Sequence, residues 1–293
     1  MPPTPPPSWP IPKFVLQVDD LSHEGAKLFF SNIQPYDDFE TTVLSSFTTL
    51  YTLETVPRKV EEIKLFLRPM QGVAHTCGSD THKEIHFSLD WIKKNAHRAR
   101  DEIMGVLTHE VVHCFQYDAK GTCPGGLIEG IADFVRLHAS LAPPHWHRTA
   151  PTPTQSWDAG YEKTAYFLDW INTTYGPETI RILNLRFHNH KYHRRLFRQL
   201  TGRPLRKLWA LYRGSFATGT GKAVVTPDPP AESESEDEGY DRIDHRALAL
   251  LAHRNQAPVS ASGTVAAAKR INGQSGKEPG EKADAVVRAF KGL

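Results

Sequence analysis

The sequence predicts an α+β fold, and two observations support this prediction. Before residue 90, apolar residues alternate with polar ones in short segments, which is typical of strands with one buried face. From about residue 99 to residue 213, apolar residues recur at helical spacing instead. The chain has 293 residues, of which 39% are hydrophobic, so it can bury one substantial core or two small ones.

The elements are predicted in the following order. Strands are expected at residues 14–18, 63–67 and 83–89. Helices are expected at residues 37–52, 99–117, 127–141, 161–174, 178–187, 191–200 and 204–213. Between the second and third of these helices, Gly121, Pro124, Gly125 and Gly126 indicate a loop in which the chain reverses. We therefore predict one folded domain over residues 13–216, with a mainly helical C-terminal part.

The two ends of the chain differ in composition from this domain. Residues 1–12 are proline-rich and are expected to be extended and solvated. Residues 217–293 contain an acidic run at 232–238 and few aromatic residues, so we expect a largely disordered tail. The N-terminus lacks the basic start and apolar run of a secretory signal, and no apolar run is long enough to span a bilayer. With only three cysteines, these features favour a cytoplasmic protein that contacts no membrane.

The charge of the chain gives little indication of a nucleic-acid partner. The net charge is +2, although residues 181–213 contain ten Lys or Arg and no Asp or Glu. Such a stretch can bind phosphate backbones, but no nucleic-acid-binding motif accompanies it. We favour the interpretation that these basic side chains cover the apolar surface of helices. A partner bound by this stretch or by the C-terminal tail is the alternative.

The most informative motif is His-Glu-Val-Val-His at residues 109–113, within the predicted helix 99–117. Residues four apart share one face of a helix, so His109 and His113 can bind one metal ion together. Glu110 lies beside them and can accept a proton. The alternative is a core helix whose two histidines hydrogen-bond to neighbouring groups. We favour the metal site because downstream residues can complete it.

The third metal ligand has to come from the residues that follow. A longer motif with a third histidine is absent, since Gln116 and Ala119 occupy the relevant positions. Cys123 can bind zinc, but it lies in the loop, and a thiolate is less usual than a carboxylate at hydrolytic sites. Glu129 is favoured because it begins the next helix, although an exposed acidic face is the alternative. Asp133, one turn further, is expected to accept a hydrogen bond from one histidine and fix its orientation.

These residue types predict hydrolysis of a peptide bond. Bound zinc activates a water and polarises the scissile carbonyl, while Glu110 acts as the general base. The developing negative charge needs a further donor, and Tyr161 is the first candidate because it begins the predicted helix 161–174. Tyr166 and His138 are the further candidates for this hydrogen-bond donor. A role of Tyr161 in packing is equally compatible with the sequence.

The residues around this motif resemble the plant basic secretory protein family, zinc metallopeptidases of plants, fungi and bacteria. The resemblance spans roughly residues 13–213 and is most specific around the metal motif. It is carried by residues 85–88, 105–117, 124–137, 157–168 and 208–212.

The resemblance implies a gluzincin-like zincin fold, in which a small mixed sheet lies over the active-site helix. It also implies zinc bound by His109, His113 and a downstream acidic residue, with Glu110 catalytic. An edge strand of such folds aligns an extended peptide through main-chain hydrogen bonds. The predicted strand that contains Ile85 and Phe87 is our candidate for this substrate-binding strand.

Among the functions that these features allow, we predict a zinc-dependent metallopeptidase, specifically an endopeptidase that acts on peptides or proteins. A zincin-fold module that binds partners with little or no catalysis is the main alternative. Hydrolysis of a non-peptide amide or ester is a third interpretation. The family resemblance also makes secretion the alternative to a cytoplasmic location.

Overall fold

The computed structural model describes residues 8–217. Its strands are β1 (Lys13–Val18), β2 (Glu62–Arg68), β3 (Ala74–Gly78) and β4 (His82–Ser88). Its helices are α1 (Glu24–Asn32), α2 (Pro35–Leu50), α3 (Leu89–Lys94), α4 (Ala99–Phe115), α5 (Gly125–His138), α6 (Tyr161–Tyr175), α7 (Thr179–Asn189), α8 (Arg195–Thr201) and α9 (Leu205–Ser215). The predicted tail, apart from residue 217, lies outside the described residues, as does its acidic run.

The four strands form one mixed sheet in the order β1-β2-β4-β3. β1, β2 and β4 run parallel, and β3 pairs antiparallel with β4. Alternate residues of the central strands, such as Leu65 and Phe87, are fully buried against the helices, as expected for a sheet with one covered face. The small mixed sheet and the helices agree with the predicted α+β class.

The position of β4 corrects one prediction. The sequence suggested that the strand with Ile85 and Phe87 forms an exposed edge that aligns a substrate. In the structure β4 lies between β2 and β3, and both side chains are fully buried. The edge position belongs to β3, a five-residue strand that the sequence pattern did not reveal. Ile85 and Phe87 are therefore core residues and do not line a binding surface.

The helix α4 lies at the centre of the fold. Of its 17 residues 14 are buried, among them the polar residues His109 and Glu110, and such burial is typical of a helix surrounded by other elements. Two contacts fix both of its ends, one to α2 and one to Tyr51, the residue that follows α2. Near the N-terminus, Arg100 donates two hydrogen bonds to the carboxylate of Asp38, at 2.9 and 2.7 Å. At the C-terminus, the buried hydroxyl of Tyr51 donates to the carbonyl oxygen of Phe115 at 2.7 Å. The residues of α4 are thus held on a rigid element.

The N-terminal segment departs from the prediction that residues 1–12 are solvated. Within the described part of this segment, Trp9 and Ile11 pack against the hydrophobic core. The ring of Trp9 lies 5.6 Å from that of Phe47 on α2. The prolines around Trp9 and Ile11 favour an extended, solvated segment, so the packing of these two residues was not predicted. The packed domain begins a few residues earlier than the sequence suggested.

The basic stretch forms the helices α7, α8 and α9. Their apolar residues, among them Leu183, Phe197 and Leu208, are buried, whereas most of the basic side chains are partly or fully exposed. This arrangement agrees with the interpretation that the basic side chains lie on the outer faces of amphipathic helices. No helix in the described part of the chain combines the length and the apolar character that crossing a membrane would need.

The two glycines at the start of α5 act differently from the loop glycines that the sequence suggested. Gly125 and Gly126 lie in the first turn of the helix, and neither has a positive φ. Gly126 is needed for close approach, because a Cβ there would lie 1.9 Å from the carbonyl oxygen of Asp158. The absence of a side chain at Gly126 thus lets the segment before α6 pack directly on α5.

Replacement of Gly126 with alanine is expected to lower the free energy of unfolding by about 1–3 kcal/mol, because the new methyl group meets rigid backbone. Urea denaturation measures this change. Gly125→Ala is the matched control, since nothing lies within 4 Å of a Cβ at that position. The control is expected to match or slightly exceed the wild-type stability. Equal losses for the two variants would contradict the proposed close approach.

Candidate metal centre

The helix α4 presents two imidazoles on one face. His109 and His113 lie one turn apart, and their Nε2 atoms are 3.1 Å from each other. His109 is buried, with 8% of its surface exposed, and His113 is partly buried. Two ring nitrogens at this distance need a proton or a cation near them, because two lone pairs would otherwise repel each other. The helix therefore brings both side chains to a single point.

The helix α5 brings a carboxylate to the same point. Glu129 Oε2 lies 3.1 Å from Nε2 of His109 and 3.6 Å from Nε2 of His113. One ligand atom from each of these three residues lies within 4.8 Å of the others. Two imidazole nitrogens and a carboxylate oxygen are ligands that a first-row divalent metal ion accepts, so the donor set fits such an ion.

The electrostatics of these three groups favour positive charge between them. Burial alone would lower the pKa of His109, but hydrogen bonds to the carboxylates of Asp133 and Glu129 raise it to about 9. Burial alone would raise the pKa of Glu129, but hydrogen bonds from His109 and His113 lower it to about 2. A bound cation would satisfy the same electrostatic requirement.

The second nitrogen of each imidazole also has a partner. His109 Nδ1 lies 2.6 Å from Oδ1 of the buried Asp133, which sits one turn after Glu129 on α5. His113 Nδ1 hydrogen-bonds to the side-chain oxygen of Gln116, whose amide nitrogen in turn donates to the carbonyl oxygen of Ile128 at 3.0 Å. These contacts fix both rings with Nε2 directed at the common point.

Glu110 lies beside the two histidines and is held by the edge strand. It is buried, with 6% of its surface exposed. The hydroxyl of Thr76 on β3 contacts Oε2 of Glu110 at 2.7 Å and the backbone oxygen of the same residue at 3.0 Å. The carboxylate therefore has a defined orientation, which a general base requires.

Tyr161 begins α6 in an unusual backbone conformation. Its φ is +46°, which is rare for a bulky side chain, and it follows Gly160 with φ +90°. The side chain is 58% exposed, and its ring lies parallel to that of His109 with 6.1 Å between centroids. The carboxylate of Glu129, partial burial and the carboxylates of Asp133 and Glu110 raise its pKa, so the phenol keeps its proton. The strained conformation and the exposure are unlike those of a packing residue.

A cleft of about 1130 Å³ opens over these groups. Its walls include residues of β3, α4 and α5, and Tyr161 lies at its border. Tyr166 and His138, the two further candidates for the hydrogen-bond donor, make their contacts away from the cleft. Tyr166 lies under the guanidinium of Arg148, and His138 hydrogen-bonds to Asp169 at 3.1 Å. Neither belongs to the lining of the cleft.

Two residues of the site escaped sequence reasoning. In the sequence Gln116 stands out only as a departure from a three-histidine motif, although its position three residues after His113 is a signal for a helix-end contact. Thr76 carries no local signal, because its contact with Glu110 depends on how β3 packs against α4. Cys123, the alternative third ligand, is not among the grouped metal-binding side chains of the described residues.

Fold and site together define a class, namely a mixed α/β domain in which two helices bring a His–His–Glu donor set and a further carboxylate under a cleft. A family model described as a peptidase of plants and bacteria matches residues 11–212. The chain therefore belongs to the basic secretory protein family, and a peptide or protein is the class of substrate that this membership indicates. No curated protein and no solved structure gives a significant match.

Proposed function

We propose that this protein is a zinc-dependent metallopeptidase with a zincin-like fold. His109, His113 and Glu129 would bind the metal, and Glu110 would be the general base. The observation that carries this proposal is the convergence of the three ligand groups beside the buried carboxylate of Glu110. The cleft above them has a volume at the upper end of the range for small-molecule sites. When bound, zinc lowers the pKa of water and polarises the scissile carbonyl.

Glu110 moves the proton in this mechanism. Thr76 holds one oxygen of the carboxylate, and the other oxygen accepts the proton of the attacking water. Glu110 then returns this proton to the amine that leaves. Asp133 and Gln116 support the reaction indirectly, because they fix the imidazole rings of His109 and His113.

Tyr161 supplies the hydrogen-bond donor for the developing negative charge. The support for this role is its position at the border of the cleft, its contact with the ring of His109 and its strained backbone. The proton that it keeps at neutral pH is the one that it donates to the carbonyl oxygen of the substrate.

Tyr161→Phe is expected to lower kcat by a factor of about 10²–10³ and to leave KM nearly unchanged, because the hydroxyl acts only when charge develops. Steady-state kinetics on a peptide substrate measure both constants. Tyr166→Phe is the matched control and should behave as wild type. A Tyr161→Phe enzyme with unchanged kcat would assign the tyrosine to packing.

The edge strand β3 replaces β4 as the strand that aligns the substrate. β3 ends the sheet, so one of its edges has no strand partner among the described residues. Residues 73–76 also line the cleft. An extended peptide can pair with such an edge through its main chain, without recognition of a chain end, and this favours an endopeptidase.

Metal dependence tests the proposed function. Purified protein is incubated with an unbiased peptide library in three states, namely zinc-loaded, treated with a chelator, and reloaded with zinc. We expect cleavage in the first and third states and none in the second. Identical cleavage by the chelator-treated and zinc-loaded proteins would contradict the proposal.

A further inference from the structure

A second group of metal-binding side chains lies on the outer face of the β3–β4 hairpin. His75 and Cys77 flank Thr76 on β3, and Thr76 points to Glu110 on the inner side. Side chains alternate between the faces of a strand, so His75 and Cys77 project from the face opposite to that of Thr76, and His75 also borders the cleft. On β4, Glu84 lies opposite Cys77, and His86 lies opposite His75. The antiparallel register thus assembles two imidazoles, a thiol and a carboxylate on one face.

Three of these side chains are close enough to share an ion, and Glu84 lies beside two of them. One ligand atom from each of His75, Cys77 and His86 lies within 4.8 Å of the others. Glu84 Oε2 lies 3.2 Å from Nε2 of His86 and 3.9 Å from Sγ of Cys77. Donor atoms around tetrahedral zinc are about 3.4–3.8 Å apart, from the usual zinc–ligand distances. His75 and Cys77 are exposed, so their side chains can rotate to bind a common ion. The ring of His75 has to leave its stack on His86 to do so, because a metal ion lies in the plane of each imidazole that binds it.

The half-buried His86 is positioned as the inner ligand of this group. Its ring stacks on Phe66 on one side, at 4.6 Å between centroids, and on His75 on the other, at 4.8 Å. Its Nδ1 atom is buried and has no hydrogen-bond partner among residues 8–217. A buried ring nitrogen without a partner costs free energy and calls for a physical explanation, such as a ligand that residues 8–217 do not supply.

We propose that His75, Cys77, Glu84 and His86 form a second zinc site. Two imidazole nitrogens, a thiolate and a carboxylate are all zinc ligands, and four protein ligands leave no open position, which is typical of a structural site. The thiol of Cys77 gives up its proton to solvent when the metal binds. The ion links β3 to β4. It thereby holds β3 in place, and the hydroxyl of Thr76 on β3 hydrogen-bonds to the carboxylate of Glu110.

Zinc content of the full chain tests this proposal. Metal-free protein is reloaded with zinc, and bound zinc per chain is measured. We expect two equivalents in the wild type and one in His113→Ala, in which the first site is disabled. Addition of Cys77→Ser and His75→Ala to His113→Ala should remove the remaining zinc. Both residues are exposed, so these substitutions spare the core.

The outcomes separate the two sites. A His113→Ala protein without zinc, or a triple variant that keeps its zinc, would overturn the outer site. A wild type with a single zinc that is lost in Cys77→Ser would instead contradict the first site and leave the outer one intact. His82→Ala is the control, because His82 lies on β4, two residues before Glu84, but outside the group. It should keep both ions.

Loading with Co²⁺ provides a second measurement that does not depend on activity. A thiolate bound to cobalt gives a charge-transfer absorption in the near ultraviolet. We expect this absorption in the wild type and in Cys123→Ser, and its loss in Cys77→Ser. Its persistence in Cys77→Ser would overturn the proposal.

Discussion

Replacement of Glu110 with glutamine is expected to lower kcat/KM for peptide hydrolysis by a factor of about 10²–10⁴, which is the usual contribution of a general base. Glutamine preserves the size of the side chain and the contact with Thr76, but its amide cannot accept the proton of the attacking water. Because Glu110 is not one of the three grouped ligands, the zinc content should be unchanged. Peptide kinetics and metal analysis on the same preparation measure the two effects.

Glu162→Gln is the matched control for this variant. Glu162 also lines the cleft, but it pairs with Lys163 and makes no contact with Thr76. Its replacement should change kcat/KM by only a few-fold. If Glu110→Gln retained activity within a few-fold of wild type while Glu162→Gln lost it, the base would have been assigned to the wrong carboxylate.

Replacement of Glu129 with alanine is expected to weaken zinc binding by at least about 100-fold. Loss of a residue that only supports a ligand costs 10–100-fold in affinity, and the loss of a direct ligand should cost more. The change leaves two ligands where catalytic zinc commonly has three. Competition with a chelator of known affinity measures this effect, and peptide cleavage should fall with zinc occupancy.

Cys123→Ser distinguishes Glu129 from the other candidate ligand. Cys123 is partly buried, and its burial, with a contribution from Asp118, raises the pKa of the thiol to about 12. It does not join the group formed by His109, His113 and Glu129. The serine variant should therefore keep the affinity of the wild type at this site. Loss of zinc in Cys123→Ser with retention in Glu129→Ala would reverse the assignment.

Much of the helical part of the fold was predictable because its signals are local. The helices α2, α4, α6 and α9 lie close to their predicted positions, since each buries an apolar face with helical spacing. Helical spacing also indicated that His109 and His113 share a face. The proposal of Glu129 and Asp133 depended on one further assumption, namely that the next helix packs against the first.

The sheet was less predictable because its order depends on contacts between distant segments. β3 has the sequence Ala-His-Thr-Cys-Gly, which shows no apolar alternation, and it was missed. The family resemblance made the predicted strand at 83–89 the candidate edge strand, and the sequence pattern gave no sign of β3 beside it. Because β3 was not predicted, the contact of Thr76 with Glu110 could not be predicted either. The same holds for the position of His75 and Cys77 on the other face of β3. A sequence pattern reveals burial along one strand but not which strand lies beside it.

The role of Gly126 shows a similar limit. Its sequence context indicated a turn, whereas the structure uses the missing side chain for contact with the segment before α6. This contact brings Gly160 close to α5, and Tyr161 follows it directly. The position of Tyr161 over His109 therefore depends on packing between two helices that a linear pattern cannot show.

The central claim is that His109, His113 and Glu129 bind the metal that peptide hydrolysis requires. Anomalous diffraction at the zinc absorption edge, from crystals of zinc-loaded protein, tests this claim most directly. We expect an ion within about 2.0–2.2 Å of Nε2 of both histidines and of a carboxylate oxygen of Glu129. A zinc-loaded crystal with no anomalous peak at that point, and with the three side chains hydrogen-bonded to one another, would contradict it.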